Sequence, residues 1–272
     1  MKEITGDAIW LAFGLTMIAG LSTGIGSLIA LMAKRTNTKF LCVSLGFSAG
    51  VMLFVSFIDL VPIAKEVLIM YYGEKTGMLS LLLAFFGGMG MITLIDFLIP
   101  KPNNPHEFQS IEEMNTSDDR QNSLHRIGIV VALSLVAHNF PEGIATFTSA
   151  MTNGLSIAIP ITIAIAIHNI PEGIAVSVPI YHATGNKRKA FWLSFLTGLA
   201  EPLGALIAYL FLLPFWSPSL TGIVMAAVAG IMVYISLDEL LPTAEKYGEH
   251  HLSISGLIAG MMVMALSLFL FI

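Results

Sequence analysis

The chain has 272 residues, of which 56% are hydrophobic and only 11% are charged, and its formal net charge is −5. Soluble domains carry about 25% charged residues, so this composition excludes an ordinary soluble domain and indicates a membrane protein. Cys42 is the only cysteine. The chain therefore excludes an intramolecular disulfide and a zinc site built on several cysteine ligands.

Apolar windows of about 20 residues predict an all-α integral membrane protein with eight transmembrane helices. We expect a single polytopic membrane domain over residues 1–272, with the first span retained rather than removed as a signal peptide. The polar segment 100–125, rich in Pro, Asn and acids, is predicted to be a disordered cytoplasmic loop. The predicted spans are approximately 8–32, 40–62, 77–99, 127–150, 156–181, 189–213, 219–241 and 252–272.

Lysine and arginine are unevenly distributed between the two sets of loops. Ten lie in the loops after spans 1, 3, 5 and 7, and three lie on the opposite side. The positive-inside rule therefore predicts a multi-pass protein of the cell (plasma or inner) membrane with both termini outside. An odd number of spans would break this distribution, which supports eight.

A long-range repeat relates span 2 to span 7. Residues 49–64 match residues 229–244 at a constant offset of 180, and an A-G-x-M start, a Ser, an acid and a Pro are kept in register. Span 2 is predicted to run outward and span 7 inward. We therefore interpret the fold as an inverted repeat, with spans 1–3 mirrored by spans 6–8 around the pair 4/5. Many transporters are built in this way, with a site at the midplane.

The most specific feature is an octapeptide that occurs twice within apolar spans. HNFPEGIA at residues 138–145 returns as HNIPEGIA at residues 168–175. A carboxylate at the centre of a spanning helix costs roughly 2.5–3.5 kcal/mol on insertion scales. Ionisable residues at this depth therefore indicate an ion or proton site. Glu201-Pro202 in span 6 adds a third acid beside a proline.

The residue types of the octapeptide are ligands for a divalent first-row metal. His138 and Glu142 are four residues apart on one helical face, and Asn139 reaches the same side. Neutral imidazole, carboxylate and amide oxygen suit Zn²⁺ or Fe²⁺. His138, His168 and Glu201 each lie about 18 Å into their spans, near the midplane of a hydrocarbon core of about 30 Å. A Glu–His proton relay without metal is the alternative.

Prolines and glycines predict how these helices pack. Pro141 and Pro171 each leave one backbone carbonyl of the preceding turn without its donor, so both helices are expected to kink. In span 1, Gly20, Gly24 and Gly26 predict a close helix-packing seam.

Other polar residues extend the predicted cation path. Acidic mouths on the two sides of the centre are expected from Asp59, Glu66, Asp238 and Glu239. Solvation at a helix end is the alternative reading of each. Residues expected at cytoplasmic helix ends, solvated or in transient contact with a leaving metal, are Asp96, His182, His250 and His251.

Together, these motifs resemble the ZIP family of metal transporters. The resemblance rests on HNFPEG in span 4, HNIPEG in span 5, EP in span 6 and the paired AGxM…S…P segments, and it covers all eight spans. It implies an importer, not an enzyme, that moves Zn²⁺, often with Fe²⁺, Mn²⁺, Co²⁺ or Cd²⁺, into the cytoplasm. The ions are bound as substrate, and we expect no organic cofactor and no nucleic-acid partner. Glycine-rich faces permit a homodimer in the lipid bilayer.

By position, the resemblance implies a two-metal centre between spans 4, 5 and 6, with both motif glutamates bridging. The first metal would be held by His138, Glu142, His168 and Glu172. The second would be held by Asn139, Glu142, Asn169, Glu172 and Glu201. Met52 in span 2 is the candidate for an additional ligand of the first metal.

Two other functions stay open from the residues. An intramembrane zinc-dependent hydrolase would need an open coordination position and a free general base, and no HExxH motif occurs in the chain. A metal-gated channel would use the centre to sense the ion rather than to carry it.

Overall fold

The computed structural model describes residues 6–32, 38–98, 136, 139–151, 155–212, 215, 217–247 and 250–270. Within these ranges the regular structure is helical, which confirms the predicted all-α class. Seven of the eight described helices are long and apolar enough to cross a membrane, and the remaining one is α4. The helices are α1 (Gly6–Met32), α2 (38–72), α3 (Glu74–Leu98), α4 (139–151), α5 (Leu155–Thr184), α6 (187–212), α7 (218–247) and α8 (His250–Leu270).

Two predicted segments fall wholly or partly outside the described residues. The loop 100–125, which contains His106 and ends at His125, is one of them. The other is the first part of the predicted span 127–150, of which α4 covers the end. The eight-span count therefore stays a prediction.

Helices α2 and α7 contain the same local irregularity. A π-helical turn, Ser56–Leu60 in α2 and Ser236–Leu240 in α7, interrupts each α-helix. Pro62 and Pro242 stand two positions after these turns. A proline lacks an N–H and crowds the carbonyl four residues earlier, and the wider π turn lets the helix continue through it. This explains why α2 and α7 run on to residues 72 and 247, beyond the predicted span ends at 62 and 241.

The helices form two groups that are joined mainly where α2 packs on α5. In the first bundle, α1 packs on α5 and α6, and Phe147 of α4 is buried with Ala12 and Ala205 of α1 and α6. In the second bundle, α2 packs on α8 and α7, and α3 packs on α7. Helices α2 and α7 are antiparallel, since the first half of each contacts the second half of the other.

Glycines allow the closest helix contacts. A Cβ on Gly20 would overlap a backbone carbonyl of α6, one on Gly26 would overlap a carbonyl of α5, and one on Gly24 would meet the Phe195 ring. The predicted seam along α1 is therefore confirmed. Between α2 and α8 the contact is reciprocal, because each of four glycines lies against the other helix's backbone. These are Gly46, Gly50, Gly256 and Gly260, which face Ser253, Leu257, Val43 and Phe47.

Candidate metal centre

One motif residue from α4 and two from α5 meet in the interior of the first bundle. His168 Nε2 lies 3.2 Å from Glu142 Oε1 and 4.0 Å from Glu172 Oε1. One ligand atom from each of the three side chains lies within 4.8 Å of the others. All three side chains are buried. An imidazole and two carboxylates at this spacing form a partial coordination shell for a divalent cation.

The local sequence explains why the two motif copies converge. Helix α5 is continuous through Pro171, and His168 and Glu172 share one face at i,i+4 spacing. The glycine after each motif glutamate is a contact point: a Cβ on Gly143 would overlap the Glu201 carbonyl of α6, and one on Gly173 would overlap a carbonyl of α1. The Glu-Gly pair therefore brings each carboxylate to a helix crossing.

Asn169 and Glu201 extend the cluster toward α6. Asn169 Nδ2 donates a hydrogen bond to Glu201 Oε1 and another, of 3.0 Å, to the carbonyl of Ala19 in α1. Asn139 in α4 donates a longer bond, of 3.5 Å, to the carbonyl of Thr197 in α6. Both asparagines and Glu201 are fully buried. The structure thus brings Glu142, His168 and Glu172 together and places Asn169 against Glu201.

The centre contains acceptor atoms that suit a cation. Among the described residues, no hydrogen-bond donor reaches Glu142 Oε2, Glu201 Oε2 or Asn169 Oδ1. Placing three ionised carboxylates within a membrane-spanning bundle costs on the order of 9 kcal/mol in insertion terms. A bound dication would offset this, because it supplies two positive charges to oxygen atoms that are otherwise exposed to low dielectric.

His138 lies outside the described residues. Its predicted role in the centre is therefore a proposal that rests on the sequence.

Met52 is placed at the side of the centre that faces the second bundle. It is fully buried and belongs to the same apolar cluster as Ala145 and Ile174, which lie at the ends of the two motif copies. One turn before it, Ser48 Oγ lies 3.4 Å from the His168 carbonyl. This position is compatible with the predicted role of Met52 as an additional ligand.

The four predicted mouth residues are not part of the three-residue cluster. Asp59 and Glu239 occupy the fourth position of the two π turns; Asp59 is half-buried and Glu239 is buried. Glu66, within α2, and Asp238, the third residue of the α7 π turn, are exposed. The half-buried Asp59 and the buried Glu239 are therefore better placed to line a route through the protein than the two exposed acids.

Two of the predicted helix-end histidines are the first residues of α8. His250 and His251 are both exposed, and His250 Nδ1 lies 2.6 Å from Glu245 Oε1. An exposed ion pair of this type contributes little stability. The side chains of Asp96 and His182 are outside the described set.

Sequence reasoning missed the groups that hold the motif residues in place. The Ala19 and Thr197 carbonyls leave no trace in residue type or spacing, since any residue carries one. A buried hydroxyl network was also missed: Ser27 donates to Ser194 at 2.6 Å, and both also approach the carbonyl of Gly173. The recurrence of serine and threonine residues on α1 and α6 was the feature of the sequence that could have predicted this network.

Comparisons with known proteins agree with the motifs. A model of the ZIP zinc transporter family matches residues 100–268. The zinc transporter ZupT of Clostridium perfringens is 57% identical over 277 residues, covering 97% of each chain. Those of Streptococcus mutans and Lysinibacillus sphaericus are 58% and 57% identical, each covering 97% of this chain and 98% of the relative. The predicted family is confirmed: the chain belongs to the ZIP zinc transporter family.

Proposed function

We propose that this protein imports divalent metal cations, chiefly Zn²⁺, from outside the cell into the cytoplasm through the buried centre of the first bundle. The observation that carries the proposal is the cluster of Glu142, His168 and Glu172, buried and within 4.8 Å of one another. Relatives that cover 97% of the chain are named zinc transporters, which supports zinc as the main substrate. Fe²⁺, Mn²⁺, Co²⁺ and Cd²⁺ are proposed as further substrates.

Two metals share the centre in this proposal. The first is held by His138, Glu142, His168 and Glu172, with Met52 as an additional ligand. The second is held by Asn139, Glu142, Asn169, Glu172 and Glu201. The two motif glutamates bridge. The contact between Asn169 and Glu201, and the acceptor atoms of Glu142 and Glu201 that lack donors, support this assignment.

A partly dehydrated ion enters such a centre because the protein oxygens and imidazoles replace its lost water ligands. Carboxylates outside the centre would raise the local cation concentration at the two mouths. We assign this role to Asp59 and Glu239, with Glu66 and Asp238 as their solvated neighbours.

The membrane arrangement proposed here has eight spans, both termini outside and the segment 100–125 as a cytoplasmic loop of a cell-membrane protein. The antiparallel packing of α2 and α7 supports an inverted repeat of spans 1–3 and 6–8. The matching hydroxyl bonds at the two π turns, Ser56 to Met52 and Ser236 to Met232, also support it. A homodimer through glycine-rich faces is included in this proposal.

The decisive experiment is uptake by proteoliposomes that contain the purified full chain, with Zn²⁺, Fe²⁺, Mn²⁺, Co²⁺, Cd²⁺ and Mg²⁺ offered separately. We expect saturable Zn²⁺ uptake by the native chain and none above background by Glu142→Ala. The variant loses a carboxylate that contacts His168 at 3.2 Å. Normal zinc uptake by a Glu142→Ala chain that is present at native levels would end the site assignment.

The same assay separates the alternative functions. Uptake that does not saturate with zinc concentration indicates a metal-gated channel. Proteolysis or hydrolysis without ion movement indicates an intramembrane hydrolase, which membership of a transporter family disfavours.

A further inference from the structure

We propose that Gly20 in α1 and Gly198 in α6 are positioning residues for the metal centre. Their backbone-to-backbone contact places the two carbonyls that orient the asparagines of both motif copies. This inference rests on the proposed function, because it takes Asn139 and Asn169 as ligands of the second metal.

The two glycines touch through backbone atoms on both sides. A Cβ on Gly20 would overlap the Gly198 carbonyl oxygen and lie 3.2 Å from its carbon. A Cβ on Gly198 would overlap the Gly20 carbonyl oxygen and lie 2.9 Å from the Thr23 side chain. A clash with backbone cannot be relieved by rotating a side chain. Any larger residue at either position must therefore move α1 away from α6.

Each motif asparagine is anchored one residue before one of these glycines. Asn169 donates to the carbonyl of Ala19, which precedes Gly20, at 3.0 Å. Asn139 donates to the carbonyl of Thr197, which precedes Gly198, at 3.5 Å. The asparagines of both motif copies, on two different helices, are thus hydrogen-bonded next to the same contact between α1 and α6.

For Asn169, the anchoring decides which end of the amide faces the centre. Its Nδ2 has two hydrogens, and the carbonyl of Ala19 and the carboxylate of Glu201 accept them. A flipped amide would set Oδ1 against two oxygen atoms, so this orientation is strongly preferred. The Oδ1 atom then points elsewhere, and within the described chain no donor meets it. It is therefore available to a cation.

The orientation of the asparagines bears on the choice of metal. Amide and carboxylate oxygens suit harder ions such as Mn²⁺, whereas imidazole favours Zn²⁺. A change that turns the amide oxygens away leaves the histidine and glutamate ligands of the first metal in place. It should therefore penalise Mn²⁺ more than Zn²⁺.

The test compares Gly20→Ala with Gly260→Ala in proteoliposomes. Gly260 lies against the Phe47 carbonyl between α8 and α2, so its variant introduces the same type of clash in the second bundle. We expect Gly20→Ala to lower the Mn²⁺-to-Zn²⁺ ratio of kcat/KM about tenfold, the effect of losing one well-made polar contact. Gly260→Ala should leave the ratio unchanged even if it lowers the amount of folded protein. Equilibrium dialysis of both ions against the purified proteins provides a binding readout that is independent of transport.

A double-mutant cycle tests whether Gly20 acts through the asparagine. In an Asn169→Ala background, the change in the metal ratio caused by Gly20→Ala should be clearly smaller, because Asn139 is then the only motif asparagine that the contact still positions. Equal ratio changes in the presence and absence of Asn169 would overturn the proposal, as would an unchanged ratio in Gly20→Ala itself.

A milder variant covers the case in which Gly20→Ala does not fold. Ser22 Oγ also donates to the Ala19 carbonyl, at 2.6 Å. In Ser22→Ala this competing donor is absent, so the Asn169 bond should strengthen and the ratio should shift toward Mn²⁺ by about twofold. A ratio that stays constant, or that moves toward Zn²⁺, would contradict the inference. Failure of the native chain to take up either ion would instead refute the proposed function.

Discussion

The first bundle buries polar side chains among its helices, whereas the second buries an apolar core. Buried residues of the first bundle include Glu142, Glu172, Glu201, Asn139, Asn169 and His168. In the described part of the second bundle, the buried polar side chains are Ser and Thr residues together with Glu239. Its interior is formed by a large cluster that includes Leu45, Met52, Ile231, Met232 and Ile235.

The two bundles therefore have different roles within one membrane protein: the first contains the buried polar cluster that suits a metal ion, and the second is held together by apolar packing. In lipid, helices gain little from the hydrophobic effect between them and depend on close contact. The second bundle meets this requirement with apolar side chains and the reciprocal glycines of α2 and α8. The first bundle places its polar ligands among equally close contacts. Substitutions of the ligands in the first bundle should therefore affect metal transport. In the second bundle, apart from Met52 and the carboxylates of the two π turns, substitutions should affect mainly stability.

The largest effect is expected from His168→Ala. Removing the imidazole takes away one ligand and leaves Glu142 and Glu172 facing each other without it, so zinc kcat/KM should fall by at least about 100-fold. His251→Ala is the matched control, because His251 is exposed at the start of α8 and should leave zinc uptake at the native level. An equal loss of zinc kcat/KM in His168→Ala and His251→Ala would contradict the assignment of metal binding to the first bundle.

A second substitution tests the apolar core. Met232 is buried in α7, and Met232→Ala should lower the free energy of unfolding by about 2 kcal/mol through the cavity that it leaves. Met262→Ala, on the lipid-facing side of α8, should have almost no effect on unfolding. Unfolding of the purified proteins in SDS measures the free energy of unfolding of both variants. The KM for zinc should equal that of the native chain in each. A changed metal preference in Met232→Ala would show that the apolar core of the second bundle, and not only Met52, affects the centre.

The smallest effect is expected in the hydroxyl network of the first bundle. Ser194 accepts from Ser27 at 2.6 Å and donates to the Gly173 carbonyl at 3.2 Å. Ser194→Ala should destabilise the protein by about 1 kcal/mol, because both hydrogen bonds of this buried hydroxyl are lost. Ser255→Ala removes an exposed hydroxyl that bonds only within its own helix and should change stability less. Thermal unfolding of the two variants under the same conditions shows whether Ser194→Ala loses more stability than Ser255→Ala.

Composition and the length of the apolar runs were sufficient to predict the long helices that the structure describes, because long apolar runs in lipid have few alternatives. The first span was predicted at 8–32, and the helix is Gly6–Met32. The ends of α2 and α7 were not predictable from hydropathy. Polar residues such as Lys65 end an apolar window but not a helix, and the π turn before Pro62 allows the helix to continue.

The sequence predicted the residue types that the structure brings together in the cluster, but not the groups that hold them in place. Glu142, His168 and Glu172 meet because the doubled motif sets them at one level. The bond between Asn169 and the Ala19 carbonyl joins residues 150 positions apart through a backbone atom. Such a bond cannot be predicted from residue types, because every residue carries a backbone carbonyl. The glycine seam on α1 was visible, but its connection to the asparagines was not.

The reciprocal glycines between α2 and α8 have a consequence for motion along the helix axes. Gly46 and Gly50 face Ser253 and Leu257, so shifting either helix by one residue would bring a side chain to a place that admits only hydrogen. The pair is therefore locked in register. Any rearrangement that lets an ion pass must carry α2 and α8 together as one unit or leave both where they are.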